Sequence, residues 1–189
     1  LKGYLDLLRY IRGHWPLIHI HAFSPPEIWA LHQALNVPLR DLLLRLQEAG
    51  LATIPGGGAE ILVDRVRRKI SPRKCTTDQW LEVMRTAHAI GMRTTATMMF
   101  GHLETIPERI EHLDRIRRLQ DETGGFTAFI LWPFQSDNTP LGRMSRAAPS
   151  PGTEPDGEHL HLAGAHEYLR MLALSRLYLD NVANLQSSW

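Results

Sequence analysis

Two hydrophobic periods alternate along the chain. Leu5, Leu8 and Ile11 recur at helical spacing with charges between them, predicting an amphipathic helix over Leu1–Gly13, stopped by Gly13 and Pro16. Leu17–Phe23, LIHIHAF, switches to alternation, predicting a strand with His19 and His21 on one face. Ser24-Pro25-Pro26 caps a short helix at Glu27–Leu35. Pro38–Ala49 reads as a second, closed by Gly50 in the left-handed conformation. Leu51–Ile54 is a short strand that runs into Pro55-Gly56-Gly57-Gly58-Ala59-Glu60, and a basic segment, Arg65–Lys74, follows. Thr76 with Gln79 makes a capping box for a helix whose apolar side carries Trp80, Val83, Met84, Ala87 and Ile90, closed by Gly91.

The central stretch is Thr94–Thr105, TTATMMFGHLET. Its β-branched threonines and the run Met98-Met99-Phe100 predict a strand covered on both faces, broken at Gly101 into the polar loop His102-Leu103-Glu104-Thr105. Thr105, Pro107 and Glu108 supply an N-cap, an early-turn proline and a capping carboxylate for a helix over Ile106–Glu122, with Ile110, Leu113, Ile116 and Leu119 inward. Phe126–Phe134 is another apolar strand. The Pro-, Gly- and Ser-rich Ser136–Gly157 reads as a surface loop, Ala163–Asp180 as the last helix and the residues from Asn184 onward as a terminal strand.

Five strands separated by helices predict an α/β fold with a parallel sheet. Polar or glycine residues follow the strands at Ser24, Gly56–Glu60, Gly101–Glu104 and Gln135–Asn138, and a barrel would bring these to one mouth. The expected architecture is therefore a partial TIM-type (β/α) barrel filling residues 1–189 as one domain.

Composition narrows the functions. With 43% hydrophobic and 22% charged residues the chain has ordinary globular composition, and 21 Lys+Arg against 20 Asp+Glu argues against a nucleic-acid footprint. The single cysteine, Cys75, excludes an internal disulfide and fits a reducing cytoplasm. No apolar run reaches the roughly 20 residues of a membrane span. The start inside a helix and the end on a strand suggest a piece of a larger domain.

Three groups invite chemistry. His19 and His21, two apart on a strand, match the spacing of metal ligands in barrel hydrolases, but equally that of substrate contacts or hydrogen-bonded histidines, and no further ligand set stands out. Gly56–Glu60 lets backbone approach a ligand and then presents a carboxylate suited to ribose hydroxyls; a tight turn with a capping Glu explains it equally well. Trp132, Phe134 and Gln135 could wall a pocket for a flat ligand or be core. His88 and His112, on helices, and His159, His161 and His166 read as packing or surface residues, and Cys75 as an inert thiol.

LIHIHAFSPPEI, IPGGGAEIL, VRRKISP, TTATMMFGHLET, ERIEHLDRIRRLQDETGGF and FILWPFQSDNT, in this order, resemble the radical S-adenosylmethionine enzymes of menaquinone and deazaflavin biosynthesis. TTATMMFGHLET and FILWPFQ lean toward the cyclases of the futalosine route over the sister aminofutalosine and deazaflavin-forming synthases. The resemblance implies S-adenosylmethionine and a 4Fe-4S cluster as cofactors, dehypoxanthine futalosine as substrate of a cyclising oxidoreductase, and flavodoxin or ferredoxin as reductant. It implies that Glu60 holds the ribose of S-adenosylmethionine and that Met99, Gly101 and Glu104 flank its adenine. His19, His21, Ser24 and Gln135 would then face substrate.

One departure is large. The family's CxxxCxxC cluster motif is absent, Cys75 does not replace it, and a cluster needs several thiolates. The resemblance therefore implies that the first two βα units, roughly 60–90 residues, and the eighth unit lie outside this sequence, leaving these residues inactive alone. Leu131 stands where the group carries proline, and Arg146–Gly157 is longer than usual. The rival from another class is a metal-dependent barrel hydrolase using His19 and His21.

Overall fold

The computed structural model describes residues 1–146 and 160–188, with side chains omitted at 144–146. Four strands form one parallel sheet in chain order: β1 (Thr53–Ile54), β2 (Arg93–Phe100), β3 (Phe126–Pro133) and β4 (Asn184–Ser187). Every strand pairs with the next in sequence, so the sheet winds in one direction. A doubly wound sheet reverses its order, whereas a barrel does not. This is an α/β fold whose partial parallel sheet is consistent with part of a (β/α) barrel.

The helices are α1 (Lys2–His14), α2 (Pro25–Leu35), α3 (Leu39–Glu48), α4 (Asp64–Ile70), α5 (Thr77–Ala89), α6 (Ile106–Thr123), α7 (Pro140–Arg146) and α8 (Ala165–Tyr178). Three start on complete capping boxes, Ser24/Glu27, Thr76/Gln79 and Thr105/Glu108, and each box satisfies orphan N–H donors that would otherwise fray the first turn. Gly124 at φ 61° ends α6 in the left-handed region, where a Cβ would be strained.

Side-chain alternation gives the sheet two unlike faces. Ala96, Met98 and Phe100 of β2, with Phe129 and Leu131 of β3, are buried on the helix-covered face against Trp80, Val83, Met84 and Ala87 of α5 and Leu113 and Ile116 of α6. Each such large side chain contributes about 1.5–3 kcal/mol of transfer free energy. The opposite face carries Thr53, Thr95, Thr97 and Met99, with Met99 in register with Trp132. Among the described residues the helices named here cover one face, which leaves the other for a barrel interior.

Several expectations need correction. Leu17–Phe23 is not a regular strand: it makes one bridge, His21 to Thr53, so the sheet has four strands and not five among the described residues. Its backbone does follow β1, with Ala52 and Thr53 N–H donating to the Ile20 carbonyl and Ala22 N–H to that of Thr53. Only Ile20 of the run is buried while Leu17 is 98% exposed. The basic segment contains α4, and the loop from Ser136 contains α7; residues 147–157 of that loop, and His159, lie outside the described residues. On α6, Ile110 is half-buried while Arg109 and His112 are fully inside, for reasons that become clear at the β2–α6 loop.

Candidate functional site

The chain after β1 runs beside the C-terminal half of β2. Gly56 makes this approach possible: a Cβ there would lie 2.6 Å from the Ala96 Cα and the Thr95 carbonyl oxygen. Thr95 Oγ1 accepts from the Gly56 N–H (2.9 Å), and Thr97 Oγ1 donates to its carbonyl (2.7 Å). Two residues expected in the sheet interior are thus spent on fixing this loop. At its end, the Met99 N–H donates to the Glu60 carbonyl at 2.9 Å, so Glu60 and Met99, 39 positions apart, are adjacent.

They line one cavity of about 470 Å³ together with Ile70, Ser71, Pro72, Arg73 and Lys74. The Glu60 carboxylate is ion-paired with Lys74 and its side chain is 12% exposed. Glu60 adopts φ 47°, a left-handed conformation a non-glycine residue rarely takes, which turns the carboxylate toward that cavity. Arg67 holds the loop from behind. Its buried guanidinium donates to the Gly58 carbonyl at 3.0 Å, to that of Ala59 and to that of Cys75 at 3.1 Å, joining the glycine turn to the segment that carries Lys74. Sequence reading passed over Lys74 and Arg67; the only signal was that a cation-rich run follows the one carboxylate of the glycine turn.

Glu104 has a different environment. It is buried, accepting from the Gly101 N–H (2.6 Å), the His102 N–H (2.9 Å) and Arg109 Nε (2.8 Å), with the His102 ring at 2.9 Å. Arg109 in turn reaches Glu167 of α8 at 2.6 Å, and Glu167 pairs with His161. Burial alone would raise the Glu104 acid, but the His102 ring and the two backbone donors outweigh it and bring it down to about 2. This carboxylate closes the loop after β2 and ties it to α6 and α8. It draws Arg109 inward, which displaces Ile110 from the core. Gly101, at φ 87°, is packed against Ala163.

The residues expected to face substrate divide in two. His19 Nε2 and His21 Nδ1 both lie 2.7 Å from Thr53 Oγ1, on the barrel-interior face. Burial and the neighbouring His19 depress the His21 imidazolium. Ser24 is spent on capping α2: its N–H (2.8 Å) and hydroxyl (2.6 Å) both donate to Glu27. Gln135 is exposed beyond β3, donating to the Pro133 carbonyl at 3.3 Å.

His88 and His112 are packing residues. His88 joins Thr94 and Thr123 by two 2.7 Å contacts, and His112 Nδ1 accepts from the Leu62 N–H at 2.9 Å. Burial, reinforced by nearby arginines, lowers them to about 4 and about 3.

The donor set for metal is thin. Among the described residues no three of His, Cys, Asp and Glu are grouped so as to hold an ion. Cys75, the chain's one thiol, is buried and pushed up by that burial. These residues do not fit a 4Fe-4S cluster, and among the described residues His19 and His21 lack a further ligand for the hydrolase alternative. The cavity by contrast gathers a carboxylate, a thioether and an ammonium, from Glu60, Met99 and Lys74. Among the described residues no helix is long and apolar enough to cross a membrane.

The chain belongs to the radical SAM superfamily, whose model matches residues 4–116. Residues 123–189 match the CofH/MqnC C-terminal region. Relatives include the aminodeoxyfutalosine synthase of Thermus thermophilus, 44% identical over 98% of this chain and 47% of its own length. The cyclic dehypoxanthine futalosine synthase of Halalkalibacterium halodurans is 42% identical over 98% of this chain and 46% of its own. The 5-amino-6-(D-ribitylamino)uracil–L-tyrosine 4-hydroxyphenyl transferase 1 of Methanosarcina acetivorans is 44% identical over 100% and 48%. The chain spans about half the length of the curated relatives it matches.

Proposed function

We propose that the protein of which these residues form one domain is a radical S-adenosylmethionine enzyme. The observation that carries this reading is the Glu60–Met99 adjacency at the C-terminal end of β2, where a carboxylate and a thioether line one cavity. Glu60 would accept from the ribose hydroxyls of S-adenosylmethionine, Lys74 would hold that carboxylate in place through their ion pair, and Met99 and the backbone before Gly101 would flank the adenine. Glu104 acts one step back, fixing the loop against which the base lies. When bound, S-adenosylmethionine is the source of a carbon radical that removes hydrogen from substrate; the walls of the cavity exclude water from it. In this reading the cluster thiolates come from sequence outside these 189 residues, the reductant is a flavodoxin or ferredoxin, and the location is cytoplasmic.

Substrate identity is the finer step. The similarities lean toward the sister reactions, aminodeoxyfutalosine formation or 4-hydroxyphenyl transfer from tyrosine to a ribitylaminouracil, at 44% identity against 42% for the cyclic dehypoxanthine futalosine synthase. The cyclase remains the second reading, on the TTATMMFGHLET and FILWPFQ phrases and Trp132 in register beside Met99. The test is the full-length protein, anaerobically reconstituted with iron and sulfide, given S-adenosylmethionine, a reductant and each substrate set, with products read by mass spectrometry. One product identifies the reaction; no 5′-deoxyadenosine under any condition refutes the radical reading.

A further inference from the structure

The contact between His19, Thr53 and His21 constrains more than position. A threonine hydroxyl has one hydrogen and two lone pairs. Among the described residues Thr53 Oγ1 has two hydrogen-bond partners, His19 Nε2 and His21 Nδ1, each at 2.7 Å. The arrangement that uses the hydroxyl hydrogen gives it to one imidazole and takes an N–H from the other. Because His19 engages through Nε2 and His21 through Nδ1, both rings must then be the same tautomer. With both Nε2-protonated, His19 donates to Thr53 and Thr53 donates to His21; with both Nδ1-protonated the chain runs the other way.

We propose that Thr53 is a positioning residue that locks His19 and His21 into like tautomers, so that the pair offers one donor and one acceptor to a neutral ligand edge. In either direction the two outward nitrogens, His19 Nδ1 and His21 Nε2, are of opposite character. A vicinal diol of a sugar or polyol matches them, one hydroxyl donating and the other accepting, and a cyclic amide matches them through its N–H and C=O. A carboxylate or phosphate, which only accepts, meets a lone pair at one of the two. Both imidazoles are exposed on the interior face of the sheet, and β1 holds Thr53 at their centre through its pairing with Arg93 of β2. The ligand part rests on the reading that this face receives substrate; the tautomer part does not.

The test is long-range proton–nitrogen spectroscopy of the full-length protein labelled with 15N-histidine at neutral pH, with H19Q and H21Q for assignment. Like tautomers are expected. Opposite tautomers, which would mean that both rings donate and Thr53 faces solvent, overturn the proposal, as does rapid exchange between forms. T53V, which keeps the β-branched shape, should uncouple the two tautomers and raise KM for the substrate turned over by about tenfold, the loss of one neutral hydrogen bond. KM for S-adenosylmethionine should stay unchanged, and T53S should restore both readouts. Like tautomers with an unmoved substrate KM in T53V would overturn the ligand assignment. Absence of all turnover would refute the enzymatic reading, and the ligand edge with it, while the tautomer result still decides the arrangement.

Discussion

Glu60 and Glu104 are two carboxylates in the loops that follow neighbouring strands, and their surroundings could hardly differ more. Glu60 has an adjacent cavity and an ion pair with Lys74, itself 43% exposed. Glu104 has a side chain with 0% exposure, donors on both oxygens and a buried arginine beside it. The first retains acceptor capacity for a ligand; the second has been used by the fold. A carboxylate after a barrel strand is thus a site residue or a loop lock according to how many of its lone pairs the backbone has claimed, and spacing alone does not distinguish the two.

The comparison breaks first on stability. E104Q strands Arg109 with one partner and weakens the acceptor for two backbone N–H groups. Urea melts of the full-length protein should show a loss of about 3–5 kcal/mol, and a loss below about 1 kcal/mol would contradict the lock. Acid comes next. Glu104, His88 and His112 all have folded values below their unfolded ones, so the unfolded chain binds protons more readily and stability falls as pH falls. The two histidines contribute fully above pH 6.5 and lose that contribution on the way down to about 4 and about 3. Glu104 follows from 4.5 down to about 2. The slope of stability against pH should grow from pH 7 downward and approach two protons between about pH 5.5 and 4.5, and H88Q should remove one of them.

Gly56→Ala sharpens the other side. Its Cβ would meet β2 backbone at 2.6 Å, so a cost of about 1–3 kcal/mol is expected in melts, with weaker S-adenosylmethionine binding as the Glu60 loop is pushed away. Smallest of all is R85A, at the exposed pair with Glu122, which should leave both melt and binding unresolved from wild type.

Much of this was legible in the sequence. The capping boxes of α5 and α6, the β2 strand, its break at Gly101 and the apolar stripe of α5 follow from local rules, because each depends on residues within a turn of one another. The misreadings share a cause. Leu17–Phe23 has strand periodicity, but among the described residues its pairing is a single bridge from His21 to β1, which is only two residues long and too short a template for a regular ladder. What the motifs of Ser24 and Glu104 did not disclose is their partners, Glu27 and Arg109. Thr53 went unnoticed because its significance lies in two histidines more than thirty residues away.

The central claim is that Glu60, and not Glu104, is the carboxylate that touches S-adenosylmethionine. Equilibrium binding of S-adenosylmethionine to the full-length protein and to E60Q, alongside their thermal midpoints, tests it directly. The account predicts at least about tenfold weaker binding in E60Q, the loss of a charge-assisted hydrogen bond, with the midpoint nearly unmoved. Unchanged affinity in E60Q, or a collapse of stability like that expected of E104Q, would contradict it.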